Sequence, residues 1–133
     1  MDNDIDSMIQ TMIQKQIFAL AFSADETLLA AGNFEKIRLF GSQKKTHFKE
    51  VTKVYGTALV FSPDETMLVV GLVSGGIQLL DITTGDKLTT LDGHTAPIVK
   101  LLFSPDRKTL VSTGYDGTIL VWDWEEAIKG LKR

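Results

Sequence analysis

One turn is written three times in this chain: FSAD at 22–25, FSPD at 61–64 and FSPD at 103–106. With Phe22, Phe61 and Phe103 in one column, the copies lie 39 and 42 residues apart. The match runs well beyond the turn. Seven residues on stand Leu29, Leu68 and Leu110, and two residues back stand Leu20, Leu59 and Leu101. Ile37, Ile77 and Ile119 align once the first copy is one residue shorter. A unit recurring at such a period is one supersecondary element that cannot bury its apolar surface alone and must stack on its neighbours.

Each copy reads as short strands. IFALAF, GTALVF and IVKLLF precede the shared turn; TLLAAG, TMLVVG and TLVSTG follow it. A link of four to five residues rich in Ser, Pro and Asp is hairpin chemistry, so these strands pair antiparallel. KIRLF, GIQLLD and TILVWD supply a third strand, and in the second copy Thr84-Gly85-Asp86 turns the chain into a fourth, KLTTL. An antiparallel sheet with one wet face alternates apolar and polar residues. TMLVVG and IFALAF are apolar on both faces, so both faces must be covered, most simply by another copy. No long helical segment in 17–124 competes for that place. The fold class is therefore all-β, with four-stranded sheets stacked radially as the blades of a β-propeller.

Residues 91–123, LDGHTAPIVKLLFSPDRKTLVSTGYDGTILVWD, resemble a WD40 repeat: Gly93-His94 opens the unit and Trp122-Asp123 closes its third strand. The resemblance extends in weaker form over about 17–123. The first two copies lack the Gly-His pair, Phe40 and Leu80 stand where Trp122 stands, and Gly41 and Asp81 stand where Asp123 does. The expected organisation is an N-terminal segment 1–16, repeats at 17–55, 56–92 and 93–123, and a short amphipathic helix at 124–133. That helix is read from Trp124, Ala127, Ile128 and Leu131 at i, i+3, i+4, i+7. Ile5, Met8, Ile9, Met12 and Ile13 also fit helical spacing, with a strand completing a neighbouring blade as the alternative reading of SMIQTMI.

His94, Ser112 and Asp116 look like the parts of an activated nucleophile. The resemblance implies something else: in WD-repeat proteins the matching positions form a structural hydrogen-bond network with the tryptophan, here Trp122. No glycine-rich oxyanion loop or nucleophile elbow surrounds Ser112. His47 and His94 lie in different repeats without metal-ligand spacing, and GLVSGG at 71–76 lacks the helix and lysine of a phosphate loop. Asp25-Glu26 and Asp64-Glu65 read as solvated acids in exposed turns. No catalytic residue, metal or cofactor is expected.

The 133 residues suffice for one domain. A net charge of −3 and only small basic clusters (Lys44, Lys45, His47 and Lys49; Lys129, Lys132 and Arg133) argue against nucleic-acid binding. There is no cysteine, no apolar run of membrane-spanning length and no basic N-terminal signal, which leads to an expectation of a cytoplasmic chain that engages no membrane.

Closed propellers have four to eight blades, so three copies leave apolar faces uncovered. Two chains closing a ring as a homodimer, completion by another protein, and capping by the termini are the alternatives. The resemblance implies a non-catalytic scaffold for protein partners, with assembly into a larger propeller as the other reading. The residues just before the Asp116 column, Phe34, Val73 and Tyr115, are candidate partner-binding positions, because hairpin tips seldom carry such side chains unless they pack on something.

Overall fold

The structure is a computed structural model describing residues 19–33, 35–41 and 50–131. Each repeated turn folds the same way. The Ser23, Ser62 and Ser104 hydroxyls donate to Asp25, Asp64 and Asp106 and accept the amides of Leu28, Met67 and Thr109. The same aspartates accept the amides of Thr27, Thr66 and Lys108 at 3.0–3.1 Å. Glu26, Glu65 and Arg107 then take the left-handed conformation, at φ 61°, 61° and 66°. Asp25 and Asp64 are therefore the clasps of their hairpins rather than solvated bystanders.

The clasped hairpins build three antiparallel sheets. The first is β1 (Ala19–Phe22), β2 (Leu28–Gly32), β3 (Lys36–Gly41) and β4 (Glu50–Thr52), in that order. The second is β5 (Gly56–Phe61), β6 (Met67–Leu72), β7 (Ile77–Asp81) and β8 (Lys87–Leu91). The third is β9 (Ile98–Phe103), β10 (Thr109–Gly114) and β11 (Ile119–Asp123). The first two sheets have the expected four strands; the third has three among the described residues. The expected N-terminal segment, the basic cluster at 44–49 and Phe34 lie outside the described residues.

The two-faced apolar pattern is what stacks the sheets. In β6, Leu68 and Val70 enter a core shared with Leu28, Ala30, Ile37 and Leu39 of the first sheet. Met67 and Val69, one residue out of phase, enter a second core with Ile98 and Leu110 of the third. A strand whose side chains alternate between faces thus serves two cores. β1 packs beside β5 and β5 beside β9, so the sheets fan out from their first strands.

The next face in the series is bare. Val99, Leu102, Ile119 and Val121 of the third sheet are exposed. In one column of the repeat, Leu79 is 0% exposed and Val121 70%. Leu20 and Phe22, on the far side of the first sheet, are exposed as well, whereas their counterparts Leu59 and Phe61 are buried.

Helix α1 (Trp124–Ile128) follows β11 directly, with Asp123 as N-cap accepting the Glu126 amide at 3.2 Å. Trp124 is buried and meets Phe103 edge-to-face at 4.9 Å. Ala127, Ile128 and Leu131 pack on the core between the second and third sheets. The helix therefore closes the rim of that core and leaves Val121 and Ile119 uncovered.

Candidate functional site

The third sheet carries a buried polar chain. Trp122 stands opposite Leu110 on β11 and Ser112 lies on β10, so both side chains face the second sheet. The indole N–H donates to the Ser112 hydroxyl oxygen at 3.0 Å. That oxygen lies 2.8 Å from His94 Nε2. On the other side of the ring, Nδ1 lies 2.8 Å from Thr118 Oγ1 and 3.3 Å from Asp116 Oδ1. The Thr118 hydroxyl donates to Asp116 Oδ1 at 2.6 Å, and the Thr95 amide donates to Oδ2 at 3.0 Å.

One set of proton positions satisfies the whole chain. Thr118 spends its proton on the carboxylate and so accepts from Nδ1–H. Nε2 is then an acceptor, and the Ser112 hydroxyl donates to it while accepting the indole N–H. Each group's hydrogen-bond direction fixes the next. The Thr118 hydroxyl, followed by the Thr95 and Thr118 amides, holds the Asp116 carboxyl well below its ordinary value.

The four residues singled out from the sequence are thus brought together, with two more that were not. Thr95 and Thr118 carry no signal in the repeat columns; their hydroxyls matter only because the loop before β9 and the turn before β11 meet. The glycines flanking the chain are set by close approach. A Cβ at Gly114 would lie 2.7 Å from His94 Nδ1, and one at Gly93 2.8 Å from the Trp122 ring. In the first two sheets the Ser112–Trp122 pair becomes Ala31–Phe40 and Val70–Leu80. Both polar partners vanish together there, so nothing is left unpaired.

This arrangement has no means of acting as a triad. Ser112 is 0% exposed, and its oxygen is committed to the indole and the imidazole, so no substrate carbonyl reaches it.

The hairpin tips behave differently. The Tyr115 amide donates to the Pro97 carbonyl at 3.0 Å, yet its side chain is 78% exposed. The Val73 amide makes the equivalent bond to the Tyr55 carbonyl at 2.8 Å, and the Val73 side chain is exposed too. Backbone is fixed and side chain free at both positions; neither residue is consumed by packing on the adjacent sheet. Among the described residues, no helix is long and apolar enough to cross a membrane.

Residues 85–123 match the family model of the WD domain, G-beta repeat. That segment runs from β8 to β11, so the repeat in sequence begins with the outer strand of the second sheet and ends with the third strand of the next. The chain is 26% identical over 112 residues to human WD repeat-containing protein 3, a match spanning 84% of this chain and 12% of that protein. It is 32% identical over 111 residues to pre-mRNA-processing factor 19 of Schizosaccharomyces pombe, spanning 83% of this chain and 22% of the relative. It is also 32% identical over 111 residues to WD repeat-containing protein SL1-17 of Schistosoma mansoni, spanning 80% of this chain and 36% of the relative. The chain thus covers well under two thirds of each relative's length. Residues 85–123 are a WD40 repeat, and the chain resembles WD-repeat proteins over most of its own length.

Proposed function

We propose that the chain is a non-catalytic protein–protein interaction scaffold. The observation that carries this reading is Tyr115, an aromatic side chain 78% exposed on a turn whose backbone is tied to the Pro97 carbonyl and whose neighbour Asp116 anchors the buried polar chain. A solvent-facing aromatic on a fixed turn loses little backbone entropy on docking, and aromatics are favoured at interface hot spots. Val73 offers a second such position, and Phe34 occupies the same column in the first repeat. The test is to compare the proteins retained from a cell extract by the immobilised chain and by its Tyr115→Ala variant. Partners should be lost with the variant, and their affinity, measured again with purified protein, should fall about tenfold or more. An unchanged set of partners with unchanged affinities overturns the reading.

A second reading, assembly with other blades, is favoured by the bare face of the third sheet. Every covered face in the stack is covered by a neighbouring sheet of the same repeat, and Ile119 and Val121 continue the columns of Ile37 and Ile77 and of Leu39 and Leu79, which are buried between the sheets. β11 also has no strand on its outer edge among the described residues. Apolar faces of this kind mark association surfaces. On this reading a second copy of the chain, or blades of another protein, completes a larger propeller.

A further inference from the structure

Where the link from β4 to β5 meets the second sheet lies a crevice of about 300 Å³ lined by Lys53, Tyr55, Val73, Ser74, Gln78 and Lys87, with Val54 and Leu72 behind them. Gln78 is the unusual member. It sits on β7 facing the first sheet, only 8% exposed, and its side-chain amide has no hydrogen-bond partner among the described residues. Buried carboxamides are almost always satisfied. The homologous positions avoid the problem: Arg38 pairs with Glu50 at 3.0 Å, and Leu120 has nothing to satisfy. Of these three described positions, only the one in the second sheet keeps a buried donor and acceptor in reserve.

The rim supplies charge. Lys53 and Lys87 are exposed and make no ion pair with a described residue, whereas Lys36 nearby is already engaged by Glu50 at 3.6 Å. The chain as a whole carries −3, so this is a local cationic pair on an acidic molecule, and attraction there is short-ranged under physiological salt. Tyr55 and Val73 are exposed apolar walls. The Val73 amide bonded to the Tyr55 carbonyl at 2.8 Å holds them in place, so the crevice exists before anything enters it.

We propose that this crevice binds a short acidic peptide segment of a protein partner. A carboxamide presents one acceptor and two donors side by side, matching the C=O and N–H of a peptide backbone. The lysines receive flanking carboxylates, and Tyr55 and Val73 cover an apolar side chain between them. The volume lies at the small end of ligand sites, which fits a few residues of extended chain. The proposal rests on the scaffold reading and names the partner's chemistry at one place on it.

The probe is a fluorescein-labelled eight-residue peptide alternating glutamate and leucine, titrated by fluorescence anisotropy into the full chain labelled with nitrogen-15. A lysine–leucine peptide and free glutamate serve as comparisons. The acidic peptide should bind and shift the Gln78 side-chain amide resonances; the basic peptide and free glutamate should do neither. The Lys53→Glu/Lys87→Glu variant, changed only at exposed positions, should weaken binding about tenfold or more. Gln78→Leu should weaken it while leaving the chain at least as heat-stable. No binding of the acidic peptide, equal binding to the charge-reversed variant, or binding without movement of the Gln78 amide overturns the proposal. If it fails while partners sensitive to Tyr115→Ala persist, the crevice falls and the scaffold reading stands.

Discussion

Trp122 donates its indole N–H to Ser112 at 3.0 Å, and the same hydroxyl meets His94 at 2.8 Å; in the two preceding sheets, no such pair exists. The repeat solves one packing position in two chemical ways, polar once and apolar twice. Ser112→Ala takes the partner from the indole N–H and from His94 Nε2 at a position 0% exposed and should cost about 1–3 kcal/mol in urea unfolding. Adding Trp122→Phe reproduces the Ala31–Phe40 pair of the first sheet. The double variant should be more stable than the sum of the single effects predicts, by about 1 kcal/mol.

Asp116 gives the chain a signature in acid. Hydrogen bonds from Thr118 and Thr95 lower its pKa in the folded state. The carboxylate's contribution is therefore complete above the unfolded value of about 3.9 and is lost as pH falls below it. Asp116→Asn should be the less stable protein at about pH 7 and lose most of that disadvantage at about pH 2, in urea titrations at both. A stability gap independent of pH would count against the ionised clasp.

Glu26 holds the left-handed conformation at φ 61°, and its side chain makes no hydrogen bond or ion pair with a described residue to compensate it. Glu26→Gly removes the steric cost, partly offset by the glycine's greater freedom in the unfolded chain, and should raise stability by about 0.5–1 kcal/mol. The same change at Glu65 should help less, because its carboxylate accepts the Ala24 and Asp25 amides of the neighbouring turn.

How much of this could be read from the residues depends on where each signal resides. The turn repeats with serine and aspartate two residues apart because its clasp is local: the two bond each other and the serine takes the next strand's first amide, so sequence alone names the hairpins. The two-faced strands are equally legible, since Met67 and Leu68 announce two cores by being apolar in succession. Thr118, which comes closer to His94 than Asp116 does, was not legible. Nor was Gln78. Its lack of a partner among the described residues is a property of how the chain packs around it, and no spacing along one chain records it. The spacing of Trp124, Ala127, Ile128 and Leu131 names an amphipathic helix, but only the structure shows which core it closes.

Leu79 and Val121 occupy one column and opposite fates. Leu79→Ala empties a closed core and should cost about 2–5 kcal/mol. Val121→Ala, on the bare face, should change the stability of the isolated chain by no more than about 0.5 kcal/mol. Equal effects at the two positions would mean that the third sheet's face is covered.

The measurement that bears most directly on the account is the absolute mass of the purified chain, by light scattering during size-exclusion chromatography over a range of concentrations. A sheet written to be covered on both faces by its like predicts association: a mass at a multiple of 14.7 kDa, falling to that of a single chain when Val121→Lys places a charge on the bare face. A single-chain mass for the native protein at every concentration would contradict it.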